Sequence, residues 1–219
     1  MKLIPYGSKS WMVRWNTREE FEQVYVSILE HLSSTPPSGF LECIPGYQTL
    51  LLAFKAPYQE NDIRKYLKIA ATKKTSGYSQ NNLIEIPVQY NGPDLSYIAE
   101  FHNISTDDVI QRHSDTVYTI YFMGFSPGFP YLGPLDSSLH TPRRKSPRTR
   151  IPAGSVAIGG SHTGIYSVES PGGWHIIGHT SKILFNLNAA IASYSDSRDI
   201  FHMHPGDQIR FIPQSTTVS

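Results

Sequence analysis

The sequence predicts an α+β layer over residues 1–82, followed by a mainly β barrel over residues 83–219. Three observations lead there. Two stretches of the first part carry apolar residues at helical spacing, set between short apolar runs of strand length. The run from Thr72 to Asn82 is polar and aperiodic, and reads as a linker. Beyond residue 117 the chain becomes short strands between glycine and proline turns, and the 219 residues hold 16 of each. Short strands at such spacing suggest a closed or nearly closed barrel.

Taken in order, Trp11 to Trp15 reads as a strand. Thr17 and Glu20 form a capping box, in which each side chain satisfies a backbone N–H at a helix start. The helix behind it places Phe21, Val24, Tyr25, Ile28, Leu29 and Leu32 on one stripe. Phe40–Ile44 and Gln48–Phe54 read as strands around the Pro45-Gly46 turn. A second amphipathic helix turns Ile63, Tyr66, Leu67 and Ala70 inward, and Leu83–Ile86 is expected to add the last strand. The β-α-β-β-α order resembles a ferredoxin-like sandwich. Helices are expected near Asp94–Phe101 and Thr106–His113, the latter opened by a box of Ser105 and Asp108. The barrel strands are expected at Val117–Phe122, Val156–Ile158, Gly164–Tyr166, Ile176–Ile177, Ile183–Phe185 and Gln208–Phe211.

Composition narrows the function. The charge balance, 19 Lys and Arg against 18 Asp and Glu, leaves a net +1. A dedicated nucleic-acid binder shows a basic surplus, because phosphate neutralisation supplies its affinity. The apolar stretches are far shorter than the roughly 20 residues of a membrane span. Cys43 stands alone, so no intramolecular disulfide forms, and the N-terminus lacks a run of signal-peptide length. The expectation is a cytoplasmic protein that binds neither nucleic acid nor membrane.

Several motifs fail on physical grounds. Gly124-Phe-Ser-Pro-Gly128 has nucleophile-elbow spacing, but the oxyanion hole would need an N–H from Pro127, which has none. The glycines of Gly154 to Gly160 lack the Lys and Ser/Thr of a phosphate loop. His202 and His204 have no Cys or further His nearby in sequence, so no metal is expected. Cys43 reads as a small buried thiol.

Residues 124–180 carry the information. Arg143, Arg144, Lys145, Arg148 and Arg150 crowd into eight positions braced by Pro142, Pro147 and Pro152. Forked guanidinium donors suit carboxylate or phosphate oxygens, and stiffening pre-organises them. The alternative is a solvated basic loop. Pro171-Gly172-Gly173-Trp174 is a tight turn that delivers an indole. Tyr166 and Trp174 read either as pocket walls or as core aromatics. His113, His162 and His179 are the groups near this segment that could move protons near neutral pH.

GFSPGFPYLG, TPRRKSPRTRIPAGSVAIGG, TGIYSVESPGGWHIIGHT and the closing PGDQIRFIP are similar to the signature of the family of 5-oxoprolinase B subunits. That family contains KipI-like proteins and also goes under the name allophanate hydrolase subunit 1. The resemblance extends through IEIPVQYNGPDL, Val109–Tyr118 and IPGYQTLLLAF, and so covers nearly the whole chain. It implies a ferredoxin-like domain followed by a cyclophilin-like barrel. It implies a heteromer with a cyclophilin-like C subunit and an A subunit of another fold, which together open the lactam of 5-oxoproline to glutamate with ATP. Other relatives form the carboxyltransferase part of urea carboxylase, and some KipI-like proteins inhibit a histidine kinase. Within that frame Arg143, Arg144 and Arg148 are expected to hold carboxylate or phosphate oxygens. Gly172 and Gly173 are expected to offer N–H donors, and Tyr166 and Trp174 to shape the pocket. His179 and His113 are the expected proton carriers. The rival reading is a non-catalytic module whose aromatics and arginines anchor a protein partner.

Overall fold

The structure, a computed structural model, describes residues 1–72, 82–192 and 197–214. The expected linker over 72–82 lies almost wholly outside the described residues. The chain forms two compact units, Met1–Gln80 and Asn81–Ser219.

In the first unit β1 (Lys2–Pro5) and β2 (Ser10–Arg14) make a hairpin, with Lys2 opposite Arg14 and Pro5 opposite Trp11. Helix α1 (Arg18–Ser34) starts where Thr17 Oγ1 accepts the Glu20 N–H at 3.2 Å. The Glu20 carboxylate reaches back to the N–H of Asn16 rather than to that of Thr17, one residue beyond a strict capping box. Strands β3 (Phe40–Pro45) and β4 (Thr49–Phe54) and helix α2 (Glu60–Thr72) complete the unit, with sheet order β1-β2-β4-β3. On β4, Leu50, Leu52 and Phe54 point inward, as a half-buried strand requires. They meet Phe21, Tyr25, Ile28 and Leu32 of α1 and Ile63, Leu67 and Ala70 of α2 in one apolar core. Cys43 is half-buried against this core, and burial pushes its thiol up to about 12, so it stays protonated.

The expected last strand of this layer is elsewhere. Leu83–Val88, here β5, runs parallel to the final strand of the second unit, and the N-terminal β1 takes the sheet edge beside β2. At four residues, with Leu3 as its single buried side chain, β1 is too short for alternation to reveal.

The second unit continues through α3 (Leu95–His102), α4 (Thr106–Asp115), β6 (Val117–Met123), β7 (Pro130–Gly133), β8 (Arg148–Ile151), β9 (Ser155–Gly159) and β10 (His162–Ile165). It closes through β11 (Ser170–Gly172), β12 (His175–His179) and β13 (Gln208–Pro213). The capping box of Ser105 and Asp108 opens α4 with both reciprocal bonds formed. Seven strands order as β12-β9-β10-β7-β6-β13-β5. The two ends meet where Gln89 and His179 exchange backbone hydrogen bonds, each of 2.9 Å, so the sheet is a nearly closed barrel. Ile183–Phe185, expected as a strand, forms no strand of the sheet and pairs through a single bridge, Phe185 with Phe201, among the described residues. A separate two-stranded ribbon pairs β8 with β11. No described helix is long and apolar enough to cross a membrane.

Candidate functional site

The ribbon of β8 and β11 brings the basic stretch to the glycine turn. Gly172 lies opposite Arg148, and the Arg144 N–H donates to the Gly173 carbonyl at 2.8 Å. The space in which Gly172 would hold a Cβ is filled by the Tyr166 hydroxyl. At Gly159 a Cβ would come within 2.6 Å of the Trp174 indole, so glycine lets that ring lie on the barrel backbone. The Trp174 ring meets Phe129 edge-to-face at 5.4 Å and Tyr131 at 5.6 Å, and Tyr166 meets Phe129 at 5.2 Å. Above Trp174 stands the Arg143 guanidinium, 5.7 Å from the ring centroid.

These groups line a pocket of about 60 Å³. Five expected site residues share it: Arg143, Tyr166, Gly172, Gly173 and Trp174. Both readings of the aromatics hold at once, since Tyr166 and Trp174 are buried in a small core and still wall the cavity. Burial holds the Tyr166 phenol above its ordinary value, against the pull of Arg143 and Arg148, so it remains a neutral O–H. Phe125, Phe129 and Tyr131 complete the walls and escape the sequence reading, although the GFSPGFPYLG run contains all three. Phe125 has a left-handed φ of 70°, rare for a bulky residue, and the Ser126 N–H donates to Gly124 O at 2.8 Å around it. A strand, β7, follows this turn instead of the helix that a nucleophile elbow requires.

Arg144 and Arg148 go elsewhere. Arg148 grips Asp94 with both terminal nitrogens, at 2.8 and 2.9 Å, and Arg144 adds a third bond at 3.0 Å. The Ile176 N–H completes the set at 2.7 Å. Asp94 is only 4 % exposed, so it needs every one of these partners. Burial works to raise its pKa, but the bonds from Arg148 and Ile176 and the charges of Arg148 and Arg144 outweigh it and hold the carboxyl below its ordinary value. The same bond to Asp94 raises Arg148. The sequence shows Asp94 only as the start of a helix. It does occupy the N-cap place of α3, yet its side chain caps nothing, because it is turned to the arginines.

A second recess, of about 280 Å³, shares no lining residue with the aromatic pocket. Arg148, Arg150, Asn91, Ser155 and His179 line it. The His179 Nε2–H donates to Ala153 O at 3.1 Å, and Nδ1 takes no part in that bond. The other expected proton carrier lies in neither cavity. His113 is fully buried in the barrel core, and its directional network is complete. Thr163 Oγ1 donates to Ala157 O and so accepts from His113 Nε2, which leaves Nδ1 to accept from Tyr90. Burial drives the ring down to about 3, so it is neutral in the core.

The family model of the carboxyltransferase domain, subdomain C and D, matches residues 1–194, and the chain belongs to that family. Within it, the chain is 46 % identical over 153 residues to the B subunit of 5-oxoprolinase from Haemophilus influenzae, covering 68 % of each chain. It is 40 % identical over 183 residues to the B subunit of 5-oxoprolinase from Escherichia coli O157:H7, covering 81 % of this chain and 80 % of that one. The solved structure of TTHA0988 superposes over 96 % of this chain with a TM-score of 0.79 at 29 % identity. The present chain spans 41 % of that longer one.

Proposed function

We propose that this chain is the B component of an ATP-dependent 5-oxoprolinase that opens the lactam of 5-oxo-L-proline to L-glutamate together with its A and C subunits in the cytoplasm. The observation that carries the reading is the Arg143 guanidinium poised over Trp174 at an aromatic pocket. A small ring bearing one carboxylate fits that pairing: the aromatic walls take the ring and exclude water, and Arg143 takes the carboxylate. Gly172 and Gly173, on the same wall, are the backbone donors assigned to the lactam oxygen, where charge develops as the amide is attacked. His113 is too deep for proton transfer, and His179 is the imidazole left for that role, on the side of the second recess.

ATP belongs to the assembly in this reading rather than to a pocket of this chain. The Gly154 to Gly160 run is strand β9 bounded by left-handed glycines and not a phosphate cradle. In the same reading the first unit is a ferredoxin-like layer, with β1 in the edge place of the usual last strand, and the second is a cyclophilin-like barrel. The two sheet orders support both descriptions.

The test is co-expression with the A and C subunits and measurement of ATP-dependent glutamate release. Arg143→Ala is expected to raise the KM for 5-oxoproline by about tenfold to a hundredfold, the worth of a charge-assisted bond. A folded assembly that releases no glutamate with ATP overturns the reading. A response to urea with carboxybiotin instead would favour carboxyltransferase chemistry, the activity that the family's description names.

A further inference from the structure

We propose that the second recess, beside Arg148, Arg150 and His179, is a binding site for a small oxyanion, phosphate or carboxylate, separate from the aromatic pocket. The recess carries two guanidiniums, and its side-chain acceptors, on Asn91, Ser155 and His179, include no carboxylate. Arg148 spends both terminal nitrogens on Asp94 and keeps Nε. Arg150 spends Nε on Glu169 at 2.7 Å and keeps its two terminal nitrogens. The Ser155 hydroxyl and the Asn91 amide line the same space, and neither side chain has a hydrogen-bond partner among the described residues. Among the described residues no carboxylate lines the recess.

Charge points the same way. Among the described residues the guanidiniums of Arg144, Arg148 and Arg150 pair only with the carboxylates of Asp94 and Glu169, so one positive charge is in excess. A ligand that matches this lining carries several acceptor oxygens and negative charge. Because Asp94 fixes the Arg148 fork from behind, that guanidinium is pre-organised and little is lost when a ligand meets it. Arg150 is the adjustable partner, since its side chain is 76 % exposed and its ion pair with Glu169 is open to solvent. The site depends on this lining alone and stands whatever reaction the assembly performs.

The full chain, labelled with ¹⁵N at histidine, is titrated with inorganic phosphate and separately with acetate, against sodium chloride of equal ionic strength. The His179 ring resonance, assigned through His179→Gln, is the reporter. A saturable shift is expected with at least one of the two oxyanions and none with chloride. The anion that binds more tightly identifies the source as phosphate or carboxylate. Arg150→Ala is expected to weaken binding about tenfold and Glu169→Gln to tighten it severalfold. No saturable shift with either oxyanion, or an Arg150→Ala chain that titrates like the parent, overturns the proposal. Thermal melts of the variants establish that exposed Arg150 and Glu169 can be changed without unfolding the chain, and Glu169→Gln alone still decides the matter if Arg150→Ala does not fold.

Discussion

Asp94 sets the limits at the scale of single residues. Its carboxylate joins two arginines from a stretch some fifty residues away to the backbone of Ile176. Removing one partner of a buried ion cluster leaves the others uncompensated, which costs about 3–5 kcal/mol when all are buried. Here Arg144 and Arg148 are 32 % and 25 % exposed, so solvent screens part of that loss and Asp94→Ala is expected to cost nearer ~2 kcal/mol. Urea unfolding midpoints measure it, and an unchanged midpoint would show that the cluster contributes no stability.

His113 supplies a second residue-scale prediction, on pH. Its native pKa, near 3, lies below the ordinary 6.5, so between those values the unfolded chain binds a proton that the native chain does not. Stability therefore falls as pH drops from about 6.5 towards 3, by on the order of 1 kcal/mol per pH unit. Asp94 adds a loss at lower pH still, as its depressed carboxyl protonates. The variant His113→Asn should be less stable at pH 7 and should lose stability less steeply between pH 6 and 4. Parallel curves for the two proteins would remove His113 from the account.

Contacts between whole elements explain why glycines punctuate the site. The ribbon of β8 and β11 can lie over Tyr166 only because Gly172 has no Cβ. Overpacking a filled core site costs about 1–3 kcal/mol, so Gly172→Ala should destabilise by that amount. Adding Tyr166→Phe removes the hydroxyl that the new methyl meets and should return part of the loss. A double-mutant cycle with no coupling between the two would show that they do not touch as described. Against β12, Gly92 packs so closely that a Cβ would run into the Ile176 carbonyl. Backbone cannot yield as a side-chain tip can, so Gly92→Ala should cost at least as much as Gly172→Ala.

For the molecule as a whole, the prediction is that this chain alone does not turn over 5-oxoproline. Among the described residues the aromatic pocket offers one cation, neutral aromatic walls and backbone donors, and no general base lines it. Glutamate production should need the partner subunits, and turnover by the purified chain with ATP alone would contradict this.

Local order was legible in the sequence wherever neighbouring residues decide it. The stripe of Phe21, Tyr25, Ile28 and Leu32, the caps at Thr17 and Ser105 and most barrel strands follow from spacing and short-range bonds. The place of the pocket was legible for a like reason, since a glycine turn carrying Trp174 and a proline-braced cationic run announce themselves by composition. What only tertiary structure decided was the pairing of distant groups. It gave Leu83–Val88 to β13 rather than to the first layer, divided the arginines so that Arg143 faces the pocket while Arg144 and Arg148 serve Asp94, and sank His113 into the core. The physical reason is that helix and turn preferences are settled within a few residues. Strand partners, ion-pair partners and the depth of an imidazole depend on which surfaces the folded chain brings together, and no local spacing records that.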